Sequence, residues 1–320
     1  SAGNDSPGYL TVYNNRLYFY SIIDSFPTRK LFRYDEAADT IEQVSDTRAG
    51  SNDFSTATIN PFAVSGSSFY IVAYSSSNYE KLFRYNDTLN TAVQVPNTRT
   101  NSQAIAPGKL INYNNAVYFS ALNSSAYMKL FRYDGTKTEQ ISDIRSGGND
   151  NPSNFAVYNG SIYFKSEMNA GNHTKLFCYN STTNTITRIS NTRNDNNVYD
   201  DPQYLTVYNN KLYFSALNST GTQRKLYCYN GSSITQISNI RSGNTDNPQN
   251  LAVFNNKLYF SAVNTSGNTK LHCYNGSTIT QVSDINDTGS DDPDFLTVYN
   301  GRLYFSARTK SGYTKLFRLE

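Results

Sequence analysis

Seven times along the chain a Lys stands before a Leu, an aromatic residue or His, and then Arg or Cys. Lys30, Lys81, Lys129, Lys175, Lys225, Lys270 and Lys315 each precede Leu, and the next residue is Phe, Phe, Phe, Phe, Tyr, His and Phe. Roughly a dozen residues before each Lys lies a second recurring block, cleanest as "LTVYNNKLYFSA" at 205–216, whose central Tyr recurs at Tyr18, Tyr70, Tyr118, Tyr163, Tyr213, Tyr259 and Tyr304. Those tyrosines are spaced by 52, 48, 45, 50, 46 and 45 residues. A constant order with elastic spacing means repeated supersecondary units whose loops vary. Because each repeat needs its neighbours to bury its faces, the 320 residues read as one domain. Its units run approximately 1–46, 47–97, 98–143, 144–191, 192–239, 240–284 and 285–320.

Within the unit at 201–246, "YLTVY" is a β-branched and aromatic run, "NN" a two-residue turn that tolerates positive φ, and "KLYFSA" a second run, so the pair reads as a tight hairpin. "KLYCY", the turn "NGSS" and "ITQIS" make a second hairpin. Each unit therefore has four strands, A to D. In "LYF" and "LFRY" successive residues are apolar or aromatic, so both faces of each sheet need a cover. Four-stranded antiparallel sheets of about 45 residues covered on both faces describe the blades of a β-propeller. The expectation is an all-β, seven-bladed propeller closed in a ring, with an open β-solenoid as the rival. The chain is polar, with a mean hydropathy of −0.59, so its 27 Tyr and 18 Phe at the recurring positions must supply the core. It stops in strand C of the seventh unit, so either the last blade is three-stranded or the chain is a fragment of a longer one.

"KLFRYDGT" at 129–136, followed by "ISDIRSGGNDNPSNFAVYNGSIYF", resembles the ELWxxDGT repeat of large bacterial surface proteins. The likeness covers all seven units in outline. It departs at the signature, where Lys stands for Glu and Phe for Trp, and Asp-Gly-Thr is complete only at Asp134, Gly135 and Thr136. The resemblance implies a propeller-like repeat on an extracellular or cell-surface protein and carries no activity with it.

Positions that recur in every unit answer to the architecture, so the strand B Tyr and the Leu-aromatic pair of strand C are expected in the core. The lysine stems should lie along the sheet, with the ammonium groups reaching solvent or a carboxylate. Alternation of strands sends the long B–C and D–A loops to one face, where binding usually resides. In the D–A loops an Arg recurs at Arg48, Arg99, Arg145, Arg193 and Arg241, replaced by Asn286 in the sixth, and an Asp follows several residues later at Asp53, Asp150, Asp201, Asp246 and Asp292, with Asp5 fitting the same pattern. Arg and carboxylate at a steady interval suggest a loop clamp. No cofactor is expected, with calcium at Asp150, Asp201, Asp246 and Asp292 as the alternative. Two residues before each Lys stand Thr28, Tyr79, Tyr127, His173, Gln223, Asn268 and Tyr313, a variable set whose rings and amides suit sugar recognition.

The three cysteines, Cys178, Cys228 and Cys273, share one repeat position in separate units, too far apart for the roughly 4.4–6.8 Å Cα separation of a disulfide. A net charge of +3, with no long basic run, argues against nucleic acid as a partner. No stretch reaches the ~18 apolar residues of a membrane span. Two histidines, one of them in the aromatic slot of strand C, leave little for a triad or a zinc site, and no G-x-S-x-G or HExxH occurs. The expected function is a non-catalytic, extracellular or cell-surface module that binds glycans in a lectin-like or adhesive way through its long loops. The alternative is a protein-interaction or structural propeller within a larger surface assembly.

Overall fold

A computed structural model describes residues 8–23, 28–44, 47, 51–54, 62–65, 67–87, 89–99, 107, 110–169, 171, 173–193, 198–299 and 301–319. Its 27 strands form seven antiparallel sheets, each in the order A-B-C-D, the last lacking strand D. The fold is the expected seven-bladed β-propeller. The blades fall into two compact units, 1–153 and 154–320.

The first unit holds blade 1 (Gly8–Tyr13, Arg16–Ile23, Thr28–Asp35, Thr40–Gln43), blade 2 (Phe62–Ser65, Ser68–Tyr74, Glu80–Asn86, Thr91–Gln94) and blade 3 (Leu110–Tyr113, Ala116–Leu122, Met128–Tyr133, Thr138–Gln140). The second holds blade 4 (Ser153–Tyr158, Ser161–Glu167, Thr174–Asn180, Thr185–Arg188), blade 5 (Gln203–Tyr208, Lys211–Leu217, Arg224–Tyr229, Ile234–Gln236), blade 6 (Gln249–Phe254, Lys257–Val263, Thr269–Tyr274, Ile279–Gln281) and blade 7 (Asp294–Tyr299, Arg302–Arg308, Thr314–Leu319).

Asparagine pairs make the A–B hairpins. Asn14 and Asn15 have φ of 45° and 58°, and Asn209 and Asn210 have 45° and 54°, the two left-handed residues that a type I′ turn requires and that Asn tolerates. Strand A of blades 5, 6 and 7 carries a bulge near its start, where Tyr204, Asn250 and Phe295 also have positive φ.

Within each unit aromatic side chains pack between neighbouring blades, as Tyr13 against Phe69 and Tyr70 against Tyr133 in the first. In the second unit the rings of Tyr158, Tyr163 and Tyr229 cluster, as do Tyr208, Tyr213 and Tyr274. In blades 1, 4 and 5 the hydroxyl at the end of strand A donates to a carbonyl in the A–B turn of the following blade: Tyr13 to Ser67 at 2.6 Å, Tyr158 to Asn210 at 3.2 Å and Tyr208 to Asn256 at 2.9 Å. A buried phenol thus contributes area and still finds a partner. The strand C leucines of blades 1 to 6 are wholly buried, whereas Leu316 of blade 7 is 74% exposed.

Candidate functional site

Six of the seven repeated lysines are buried, and the structure shows why they recur. In blade 3, Lys129 Nζ donates to Asp143 Oδ1 at 2.7 Å, to the Arg145 carbonyl at 2.8 Å and to Asp150 Oδ1 at 3.0 Å. The other oxygen of Asp150 accepts from Ser142 Oγ at 2.5 Å, and Ser142 Oγ itself accepts the Leu130 N–H at 2.8 Å. Blade 6 repeats the set with Lys270, Asp284, the Asn286 carbonyl, Asp291 and Ser283. Blades 4 and 5 do so with Lys175, Asp200 and Ser190 and with Lys225, Asp246 and Ser238, and blade 1 keeps the Lys30–Asp53 pair at 2.8 Å. A buried ammonium with three acceptors and a carboxylate with several donors satisfy one another, the condition for keeping charge out of water.

This arrangement corrects the expected Arg–Asp clamp. The carboxylate pairs with the strand C Lys, and the loop Arg serves through its backbone: Arg145 N–H donates to Asp150 Oδ1 at 2.8 Å while its carbonyl accepts from Lys129. It also corrects two positions. In "DDP" at 200–202 and 291–293 the clamping residue is the first Asp, Asp200 and Asp291, while Asp201 and Asp292 match Asn151 and Asn247 with φ of 45–48°. Aligning the loops on their Pro would have revealed this, and the recurring [QR]-[IV]-S at the end of strand D would have revealed the serine. Of the calcium candidates, Asp150 and Asp246 are therefore held by Lys, and Asp292 lies 3.9 Å from Arg308. Among the described residues no group of three His, Cys, Asp or Glu converges as a metal site. Arg48 and Asp5 lie outside the described residues.

The expected ligand residues close a turn within their own B–C loop. The carbonyls of Tyr79, Tyr127, His173, Gln223, Asn268 and Tyr313 accept from the N–H of Ser75, Asn123, Met168, Asn218, Asn264 and Thr309 at 2.8–3.1 Å. The shared closure uses the backbone carbonyl, which any residue supplies, and Gln223 adds a side-chain bond in which its Oε1 accepts from Asn218 Nδ2 at 3.2 Å. In the second unit His173, Gln223, Asn268 and Tyr313 sit on four separate blades, one per loop. Thr28 opens strand C of blade 1.

Unequal chemistry appears elsewhere. In the second unit Asp201 accepts from Lys165 at 2.7 Å, from Gln203 at 2.6 Å and from Arg224, at a place where blades 5, 6 and 7 have Ser in the position of Lys165. Burial would raise the Asp201 pKa, but these cations and hydrogen bonds bring it below the ordinary carboxylate value. In the first unit Asp87 replaces the turn Gly of blades 3, 5 and 6 and accepts from Tyr18 at 2.5 Å, Arg33 at 2.5 Å, Arg16 at 3.2 Å and Asn14 at 3.3 Å. Here too burial is outweighed by the donors, and the carboxyl is held below its usual range.

His272 is 2% exposed and stacks on Phe260 with ring centroids 6.0 Å apart, and burial pushes its pKa down. The three cysteines are free thiols, and burial raises the pKa of Cys228 and Cys273, which makes them poor nucleophiles.

No family model matches the chain, and no curated protein does. Solved structures do. A puromycin-hydrolysing peptidase of Mycobacterium tuberculosis superposes with a TM-score of 0.63 at 7% identity over 99% of this chain and 52% of the peptidase. A pair of prolyl endopeptidases gives 0.66 at 9% identity over 98% of this chain and 50% of theirs. The β-propeller domain of the Trilobed protease from Pyrococcus furiosus, described as having an open velcro topology, gives 0.52 at 11% identity over 88% and 85%. The chain thus spans about half the length of the first two. These likenesses establish the fold, and they correct the functional expectation. The similar propellers are parts of peptidases, and the glycan-binding, lectin-like expectation is set aside on that finding.

Proposed function

We propose that the chain is a non-catalytic propeller domain that makes protein contacts within a larger, peptidase-related protein. The observation that carries this reading is the coverage: 98–99% of this chain lies on about half of two peptidases. Rigid loops support it. Each described clamp pins a D–A loop to its blade with a buried ion pair, giving the long-loop face a fixed shape, as a docking surface requires. The resemblance to surface-protein repeats supports an extracellular or cell-surface setting.

Two measurements on the purified chain test this. A fluorogenic proline peptide and puromycin should remain intact, and a slide printed with both peptides and glycans should give saturable peptide signals with no sugar signal. Hydrolysis by the chain alone, or sugar binding without peptide binding, overturns the proposal.

A further inference from the structure

Strand register gives the strand C arginines their partners. Arg33 faces Glu42 across blade 1 and Arg132 faces Glu139 across blade 3, and both form ion pairs, the second at 3.1 Å. Arg84 occupies the same position in blade 2, but it faces Val93, which is 62% exposed. The nearest acidic turn residue, Asp87, is already taken by Tyr18, Arg33, Arg16 and Asn14. Among the described residues Arg84 has no ion-pair or hydrogen-bond partner, and it is exposed.

Arg84 borders a cavity of about 390 Å³ at the tight-turn end of blades 1 to 3, walled by Tyr13, Tyr85, Tyr133, Asn14, Ser67 and Gln94. The three phenols are committed: Tyr13 donates to the Ser67 carbonyl at 2.6 Å, Tyr85 to Asn90 Oδ1 at 2.6 Å and Tyr133 to the Gly135 carbonyl at 2.8 Å. Their rings give the cavity apolar walls, and the guanidinium is its unspent cationic donor. A planar guanidinium receives a carboxylate or a phosphate in bidentate fashion. Asp87 lines the same cavity, and its negative charge penalises a dianion more than a monoanion.

We propose that Arg84 and this cavity form a binding site for a peptide carboxylate, either a chain terminus or an Asp or Glu side chain. The choice of a peptide as bearer of the carboxylate rests on the reading of the domain as a protein-contact module. The anion chemistry rests on Arg84 alone.

The test follows the Arg84 Nε–H resonance by NMR during titration with sodium acetate, N-acetyl-Gly-Tyr with a free C-terminus, N-acetyl-Glu-Tyr-amide and inorganic phosphate. The proposal expects a saturable shift with acetate and with at least one peptide, and the two peptides tell terminus from side chain. Val93→Glu supplies the missing cross-strand carboxylate on an exposed position and should weaken peptide binding about tenfold, as should Arg84→Gln. Circular dichroism and the urea midpoint establish that both variants are folded. A response to acetate without one to either peptide removes the peptide and leaves the anion site. No response to acetate, tighter binding of phosphate than of either peptide, or undiminished peptide binding in Val93→Glu overturns the site itself, whatever else the domain binds.

Discussion

Asp291 reaches in two directions at once: its Oδ1 lies 2.9 Å from Lys270 Nζ in blade 6, and its backbone carbonyl accepts the Arg308 N–H of blade 7 at 2.6 Å. Asp200 and Asp246 do the same, holding Lys175 and Lys225 by the side chain and the N–H of Leu217 and Val263 in the next blade by the carbonyl. In the first unit Asp53 holds Lys30 and the Tyr74 N–H.

Lys270→Met therefore strands a buried carboxylate and should cost about 3–5 kcal/mol. Lys81 occupies the equivalent place in blade 2, but it bonds Asn97 Oδ1 at 2.9 Å, and the segment from Thr88 to Tyr133 contains no acidic residue. Burial and the nearby Arg99 lower its pKa, whereas at Lys270 burial is outweighed by hydrogen bonds to Asp284 and Asp291, which raise it. Lys81→Met should cost much less than Lys270→Met in urea denaturation, and equal losses would count against this account.

The same two lysines should move stability with pH in opposite ways. At Lys81 the unfolded chain holds its proton more tightly, so this contribution rises with pH in the window below its unfolded value near 10.5. At Lys270 the folded chain holds it more tightly, so stabilisation is complete below 10.5 and is lost as pH climbs through the raised folded value. Alkaline titration of the urea midpoint should show the second loss vanish in Lys270→Met.

Asp87 governs part of the acid limb. Its folded pKa lies below the ordinary 3.8, so its stabilisation is present above that value and lost as pH falls through the folded one. Asp87→Asn should lower stability at neutral pH and flatten the decline below pH ~4 relative to the parent chain, as read by thermal melts across that range.

Phe295 is 76% exposed and has a φ of 54°, where Asn154 and Asn250 occupy the same place in blades 4 and 6. A left-handed aromatic costs roughly 1–2 kcal/mol that Asn largely avoids. Phe295→Asn should raise stability by about 1 kcal/mol. A lower melting temperature would contradict it.

Identical sequence position does not mean identical energy. Leu271→Ala removes a wholly buried side chain and should cost about 2–5 kcal/mol, whereas Leu316→Ala, at a site 74% exposed, should fall within about 0.5 kcal/mol of the parent. Parallel urea titrations of the two variants check the contrast.

Much of this was legible because it is local. The "NN" and "NG" turns, the alternation of runs and the register of strand C against strand B are set by residues within a few positions of one another. The lysine motif was equally visible, but its partner was not. Lys270 and Asp291 are 21 residues apart and Lys175 and Asp200 are 25, so a variable loop hides a constant contact. Reading Arg145 as the cation failed because its contribution is made by backbone atoms, which every residue owns. The diversity at Tyr79, Tyr127 and Tyr313 concealed a constant feature for the same reason, a repeated carbonyl beneath a varying side chain. The Arg84 cavity was hidden because it is defined by a missing partner, which appears only once strand register pairs Arg84 with Val93.

The double attachment of Asp53, Asp200, Asp246 and Asp291 has a mechanical reading. Tension along the backbone must break a buried ion pair and an adjoining amide bond together before one sheet can part from the next. Extension of the described blades within either compact unit should therefore proceed in discrete steps of about one repeat length.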